Sequence, residues 1–135
     1  MKTFLDSGVL ITAWKGKNAE IALSVMEEPA RSFYSSYLVR MEVLPKPAFE
    51  RKNPEIEFYN LHWERLEAEE PLSERLSQET MALAKQYGLA AVDALHIAAA
   101  IRQGVEEFIT TESPGKPLFR VKDLTVTSLQ NLSAR

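Results

Sequence analysis

From Leu89 to Ile101 the chain reads Leu-Ala-Ala-Val-Asp-Ala-Leu-His-Ile-Ala-Ala-Ala-Ile, a helix-forming run that is apolar almost all the way round. A helix of that kind has no face to offer water, so it demands structure packed on every side of it. Only Asp93 and His96 interrupt it. A carboxylate between Val92 and Ala94 is tolerated in such a setting only with a hydrogen-bonded partner or a metal ion.

The rest of the chain supplies the surrounding layers. Thr3, Phe4 and Leu5 form a short β-prone run, and Asp6-Ser7-Gly8 leads directly into Val9, Leu10, Ile11 and Trp14 at helical spacing. Asn18 reads as the N-cap of a second helix with Ile21, Ala22, Val25 and Met26 on one face, ended by Pro29. Ser32 to Ser35 reads as a strand, and Ser36 as the cap of a helix carrying Tyr37, Leu38, Met41, Glu42 and Leu44. Pro45 and Pro47 must break or kink that helix, because neither donates a backbone hydrogen bond. Pro54 suits the first turn of a helix with Ile56, Tyr59, Asn60 and Trp63 on one face, and Glu67 to Leu72 reads as a short strand or a loop. Ser73 begins a helix with Leu76, Thr80, Leu83, Ala84 and Tyr87 turned inward and Gly88 as its C-cap residue. After the apolar helix, closed by Gly104, come a strand from Glu107 to Thr111, a loop from Ser113 to Pro117 and a last strand from Leu124 to Thr127. Strands separated by helices, without two-residue hairpin turns, predict an α/β fold: a three-layer α/β/α sandwich with a central parallel sheet, one domain over residues 1–135.

Composition excludes several classes. Without cysteine there is neither a disulfide framework nor a zinc-thiolate site. The first residues, Met1 to Asp6, lack the apolar core of a signal peptide, and no run approaches the roughly 18 apolar residues that span a bilayer, so a cytoplasmic, soluble protein is expected. A formal net charge of -3 excludes tight, non-specific nucleic-acid binding by a uniformly basic surface.

In a parallel α/β sheet ligands bind outside the carboxyl ends of the strands, where the strand order reverses. Asp6 ends the first strand and Glu112 follows the strand at Glu107 to Thr111, so both carboxylates are expected in one crevice. Asp93 opens the buried helix, and Glu42 lies on an otherwise apolar stretch beside Val39 and Val43. Grouped carboxylates repel one another, and a multivalent cation is the simplest neutraliser. With no Cys and only His62 and His96 present, the donors are hard oxygens, which favour Mg²⁺ or Mn²⁺ over zinc. Such a site suits phosphodiester hydrolysis. Each acid also has a plainer reading: Asp6 and Asp93 as helix caps, Glu42 as a partner of Arg40 or a neighbouring helix, Glu112 as a loop acid.

Four segments are distinctive in their order and context: Leu5-Asp6-Ser7, then Ser36 to Glu42 and Val43, then Tyr87-Gly88-Leu89 with Val92-Asp93-Ala94-Leu95-His96-Ile97-Ala98, then Thr110-Thr111-Glu112. In these, and over Met1 to about Leu129, the chain resembles the PIN domain, the nuclease fold of the VapC-type toxins. The resemblance implies a metal-dependent endoribonuclease, the toxin of a type II VapBC-like pair. Asp6, Glu42, Asp93 and Glu112 are then the catalytic and metal-binding carboxylates around Mg²⁺ or Mn²⁺, with water as nucleophile. Ser7 and Thr110 are implied to orient a carboxylate or the attacking water, the plainer role of each being local backbone capping. An RNA substrate, an antitoxin offering Arg or Lys to the acids, and a homodimer are implied as partners. Glu112 departs from the family pattern by standing where Asp is usual, one methylene further from the backbone.

A second function class is a PIN-like module that binds RNA or protein without cutting, weakened at Glu112; the intact Asp6, Glu42 and Asp93 trio favours activity. A phosphoaspartyl enzyme is disfavoured, since Gly8 stands where a second Asp is needed. His96, on the face of Asp93, is expected to be a core histidine hydrogen-bonded within the fold, with a general base as the sharper alternative. The group Phe58, Tyr59 and Trp63 is expected in the core or at a dimer surface, with base stacking as the alternative. Glu64, Glu67, Glu69 and Glu70 read as a solvated face, and Lys15, Lys17, Lys46, Arg51, Lys52 and Lys116 are candidate phosphate contacts or plain surface charges.

Overall fold

The computed structural model describes residues 1–132. Its middle layer is an all-parallel sheet of β1 (Lys2–Leu5), β2 (Ser32–Ser36), β3 (Leu66–Glu70), β4 (Glu107–Thr110) and β5 (Thr125–Ser128), in the order β3-β2-β1-β4-β5. Around it run α1 (Ser7–Lys15), α2 (Ala19–Met26), α3 (Tyr37–Val43), α4 (Pro45–Phe49), α5 (Asn53–Glu64), α6 (Glu74–Tyr87) and α7 (Ala91–Arg102). This is the α/β/α sandwich expected from the alternation of strand and helix signals. No helix among the described residues is long and apolar enough to cross a membrane.

The strand order locates the crevice. The chain builds outward from β1 through β2 and β3, then returns to the other side of β1 for β4 and β5. The reversal lies between β1 and β4, the place where a parallel α/β sheet binds ligands, since the flanking connections leave in opposite directions there. Phe4 and Phe108, register partners in these two strands, stack with ring centroids 5.2 Å apart and fill the core beneath it. Helix α7 is packed over most of its length: every residue from His96 to Ala100 is buried, and its alanines let both α6 and the sheet approach closely, whereas Ala91 and Val92 in its first turn are exposed.

Local signals fared unevenly. Ser73 caps α6, accepting from the Leu76 N–H at 3.1 Å, and Gly88 ends that helix with φ 68° and ψ 42°, the left-handed region that glycine enters at little cost. Asn18 and Ser36 occupy the cap positions of α2 and α3, but neither side chain makes a capping bond. The Pro45–Pro47 segment does end α3, and then starts the short α4 with both prolines in its first turn, where a missing N–H costs nothing. Leu66–Glu70 is a strand in spite of poor β-forming residues, and its charges suit a sheet edge. The acidic face expected there is only partly solvated: Glu69 pairs with Arg40 and Glu70 with Arg102. Tyr59 and Trp63 are core residues, Tyr59 fully buried with its hydroxyl donating to Glu55 at 2.7 Å, which removes both from base stacking. Phe58 is half-buried against Trp14.

His62, buried on α5 edge-on to Phe33, has no partner for Nε2 among the described residues. Burial, with a smaller contribution from Arg65, pushes its pKa down to about 4. The unfolded chain therefore takes up a proton between about pH 6.5 and 4 that the folded chain refuses, and stability falls as pH falls through this window by about 3 kcal/mol. Urea unfolding of wild type and His62→Leu at pH 7.5 and pH 4 checks this: the variant should lose about that much less stability on acidification. Superimposable pH profiles would remove His62 as the cause.

Candidate active site

Asp6 is the first residue beyond β1 and the N-cap position of α1, yet its carboxylate makes no capping bond. Its own N–H donates to the Ile109 carbonyl at 3.0 Å, which fixes the exit of β1 against β4. Its side chain is left to face the crevice. Oδ2 accepts from the Thr110 hydroxyl at 3.0 Å and Oδ1 accepts a longer bond from Ser7 at 3.4 Å. Thr110, fully buried at the end of β4, also accepts from the Glu112 N–H at 3.1 Å. Local capping and carboxylate orientation, posed as alternatives by the sequence, are thus performed by one hydroxyl. Gly8 sits close beside them: a Cβ there would come within 2.6 Å of Thr111 Oγ1, so the Thr111 side chain would have to shift.

Glu42 reaches the same place from α3. Its Oε1 lies 2.7 Å from His96 Nε2, which is 3.9 Å from Asp6 Oδ1. The Asp6, Glu42 and His96 side chains each offer an atom within 4.8 Å of the others. The hydrogen bond from His96 holds the Glu42 carboxyl below its usual range, with Ser7 assisting and burial opposing. Of the plainer reading of Glu42, a partner in Arg40 is excluded, since Arg40 pairs with Glu69, but a partner on a neighbouring helix is present in His96 of α7.

Asp93 sits in the first turn of α7, after Ala90 at the cap position, so it is not an N-cap. Burial raises its pKa, and the negative charges of Asp6 and Glu112 raise it further; His96 opposes them, and Glu42 adds the smallest increase. That pattern puts Asp93 in the field of the other three acids. Glu112 is exposed, with its carbonyl held by the Ser128 hydroxyl at 2.7 Å; its charge reaches Asp93, but neither its carboxylate nor that of Asp93 is among the tightly grouped donor atoms. Among the described residues, no Lys or Arg comes within ion-pair distance of any of these four acids. Lys15, Lys17, Lys46, Arg51, Lys52 and Lys116 are all exposed.

Negative charge accumulated in a partly buried crevice without a Lys or Arg among the described residues is an arrangement that a divalent ion can complete, and carboxylate oxygens are the donors Mg²⁺ and Mn²⁺ prefer. The residues fit such an ion. The sequence reading placed His96 in the core and did not place it between Asp6 and Glu42; the available signal was its position three residues after Asp93, on the same helix face.

A model of the PIN domain family matches residues 3–113. No curated protein matches the chain. Among solved structures, it is similar to VapBC2 from Rickettsia felis bound to a DNA fragment from its promoter, at TM-score 0.70 and 17% identity, covering 95% of this chain and 98% of that one. VapBC-1 from nontypeable Haemophilus influenzae is similar at TM-score 0.69 and 22% identity, covering 97% and 100%. FitAcB from Neisseria gonorrhoeae is similar at TM-score 0.65 and 18% identity, covering 96% and 99%. At these identities the likeness is one of fold.

Proposed function

The chain belongs to the PIN domain family, and on that premise we propose that it is a Mg²⁺- or Mn²⁺-dependent endoribonuclease, the toxin of a VapBC-like pair. The observation that carries this reading is the grouping of donor atoms of Asp6, Glu42 and His96 beside the switch point between β1 and β4, with Asp93 in the electrostatic field of the acids. Glu112 completes the negative field from the rim. A divalent ion held there supplies Lewis acidity toward a phosphoryl oxygen and a water acidic enough to be deprotonated near neutral pH.

The chain's own residues do the positioning. Thr110 and Ser7 restrain the Asp6 carboxylate so that its charge is presented to the crevice instead of capping α1. Asp93, on a helix packed into the core, contributes a charge whose repulsion with its neighbours, opposed in part by His96, is relieved further when cation enters. The exposed Lys and Arg side chains named above offer contacts to the RNA backbone, and the overall charge of -3 makes affinity depend on the bound ion. The VapBC relatives of similar fold support an antitoxin partner, whose Arg or Lys inserted among the acids would replace the ion's charge.

Incubating the purified chain with RNA in Mn²⁺ and in EDTA tests the reading: cleavage is expected only with metal. Metal at about 100 times its dissociation constant should stabilise the fold by roughly 2.7 kcal/mol, about 10 °C in Tm. Asp93→Asn should remove that gain. Because the folded-state pKa of Asp93 is raised, its ionisation costs stability as pH rises through that pKa, so the metal-free variant should melt above wild type at pH 7.5. A wild type that neither melts higher with Mn²⁺ nor cleaves RNA contradicts the metal-dependent nuclease; metal-induced stabilisation without cleavage favours the non-cutting module.

A further inference from the structure

His96, like Thr110, is a buried residue that meets the acids without being one of them. Its side chain is 2% exposed, its ring lies edge-on to Phe4 at 5.9 Å, and α7 holds it against β1. Glu42 is its opposite: it stands on α3 with a side chain 32% exposed, long enough to swing into solvent, and ordering such a chain costs conformational entropy. Asp6 is already restrained by Thr110 and Ser7. For Glu42 the short bond to His96 is the principal restraint.

We infer that His96 is a positioning residue, a fixed hydrogen-bond donor that holds Glu42 turned toward Asp6 and so sets the affinity of the crevice for its divalent ion; this rests on the nuclease reading above. Nε2 faces a carboxylate oxygen at 2.7 Å, so it must carry hydrogen. Nδ1 is buried and has no hydrogen-bond partner among the described residues, so hydrogen placed there would find no acceptor. The tautomer protonated at Nε2 alone satisfies both. The ring then presents the crevice with one N–H and no lone pair, which is the part of a donor and not of a metal ligand or base. One oxygen of Glu42 is engaged by His96, and Ser7 adds a weaker hydrogen bond to the same carboxylate. Hydrogen-bonded supports of this kind typically change metal affinity by roughly 10- to 100-fold when removed.

The donor role separates variants by shape. Gln extends an amide N–H to about the reach of Nε2, Asn is too short, and Leu fills the space without a donor. Mn²⁺ affinity, read without RNA from the electron paramagnetic resonance of the free ion, should fall roughly 10- to 100-fold in His96→Leu and stay close to wild type in His96→Gln. Cleavage by His96→Leu should recover as Mn²⁺ is raised, with kcat near wild type. Should the Leu variant fail to fold, His96→Asn against His96→Gln gives the same contrast. Wild-type affinity in a folded Leu or Asn variant overturns the inference, as does a folded Gln variant as weak as Asn, which would require the imidazole itself. A wild type that binds no Mn²⁺ at all overturns the nuclease reading and this inference with it.

Discussion

Asp6→Asn is expected to lower metal-supported RNA cleavage about 10³-fold, equivalent to roughly 4 kcal/mol of transition-state stabilisation. The substitution is nearly isosteric. The amide oxygen can still accept from the Thr110 hydroxyl, and α1 loses no cap because the Asp6 carboxylate makes no capping bond. What disappears is one negative charge at the point where β1 and β4 diverge. The metal-free fold should be no less stable, since the charge of Asp6 is one of the causes that raise the Asp93 pKa. Loss of cleavage together with an unchanged or higher Tm assigns the defect to the site. Cleavage that persists both in Asp6→Asn and in EDTA would sink the mechanism.

Arg31→Met is expected to cost about 3 kcal/mol of stability, or roughly 12 °C in Tm, although Arg31 lies at the opposite end of the sheet from the acids. Its guanidinium pairs with Glu107 at the start of β4 and donates to the Thr3 hydroxyl in β1 at 3.3 Å. Glu107 in turn accepts from Thr127 in β5 at 2.9 Å. The Arg31 and Glu107 side chains are 17% and 12% exposed, so removing the cation strands a mostly buried carboxylate. Against a total stability of about 5–15 kcal/mol the loss is severe. Arg31→Met with Glu107→Met should regain most of it, because a buried pair owes much of its apparent strength to the penalty of breaking it. Urea midpoints for the two single variants and the double variant measure the coupling; a double variant as unstable as the sum of the singles would show that no pair of this kind exists.

Much of the fold was legible because its signals are local. The Ser73 cap, the Gly88 terminus, the Pro45 break and the all-round apolar α7 each arise from interactions within a few residues, where backbone geometry and burial leave little choice. Asn18 and Ser36 were placed correctly as helix-flanking positions, but composition does not determine whether a cap side chain bonds its helix or turns elsewhere. Glu67 to Leu72 reads equally as strand or loop, since the pairing with β2 that makes Leu66–Glu70 the strand is an interaction between distant segments.

The candidate site divides in the same way. Asp6, Glu42 and Asp93 stand out in the sequence because a carboxylate in apolar company is expensive and calls for a reason. Their partners do not stand out. His96 meets Glu42 across 54 residues, Thr110 meets Asp6 across 104, and Arg31 meets Glu107 across 76. Nor does any run of letters say that Glu69 and Glu70 are paired while Glu112 stays exposed. The sequence by itself determined most of the element types, the helix that must be buried and the acids that stand in apolar company, because these follow from burial and backbone chemistry along the chain. The tertiary structure alone decided which strand ends meet and which donor holds which carboxylate, because a hydrogen bond reaches about 3 Å and is specified only when the sheet order brings remote residues that close.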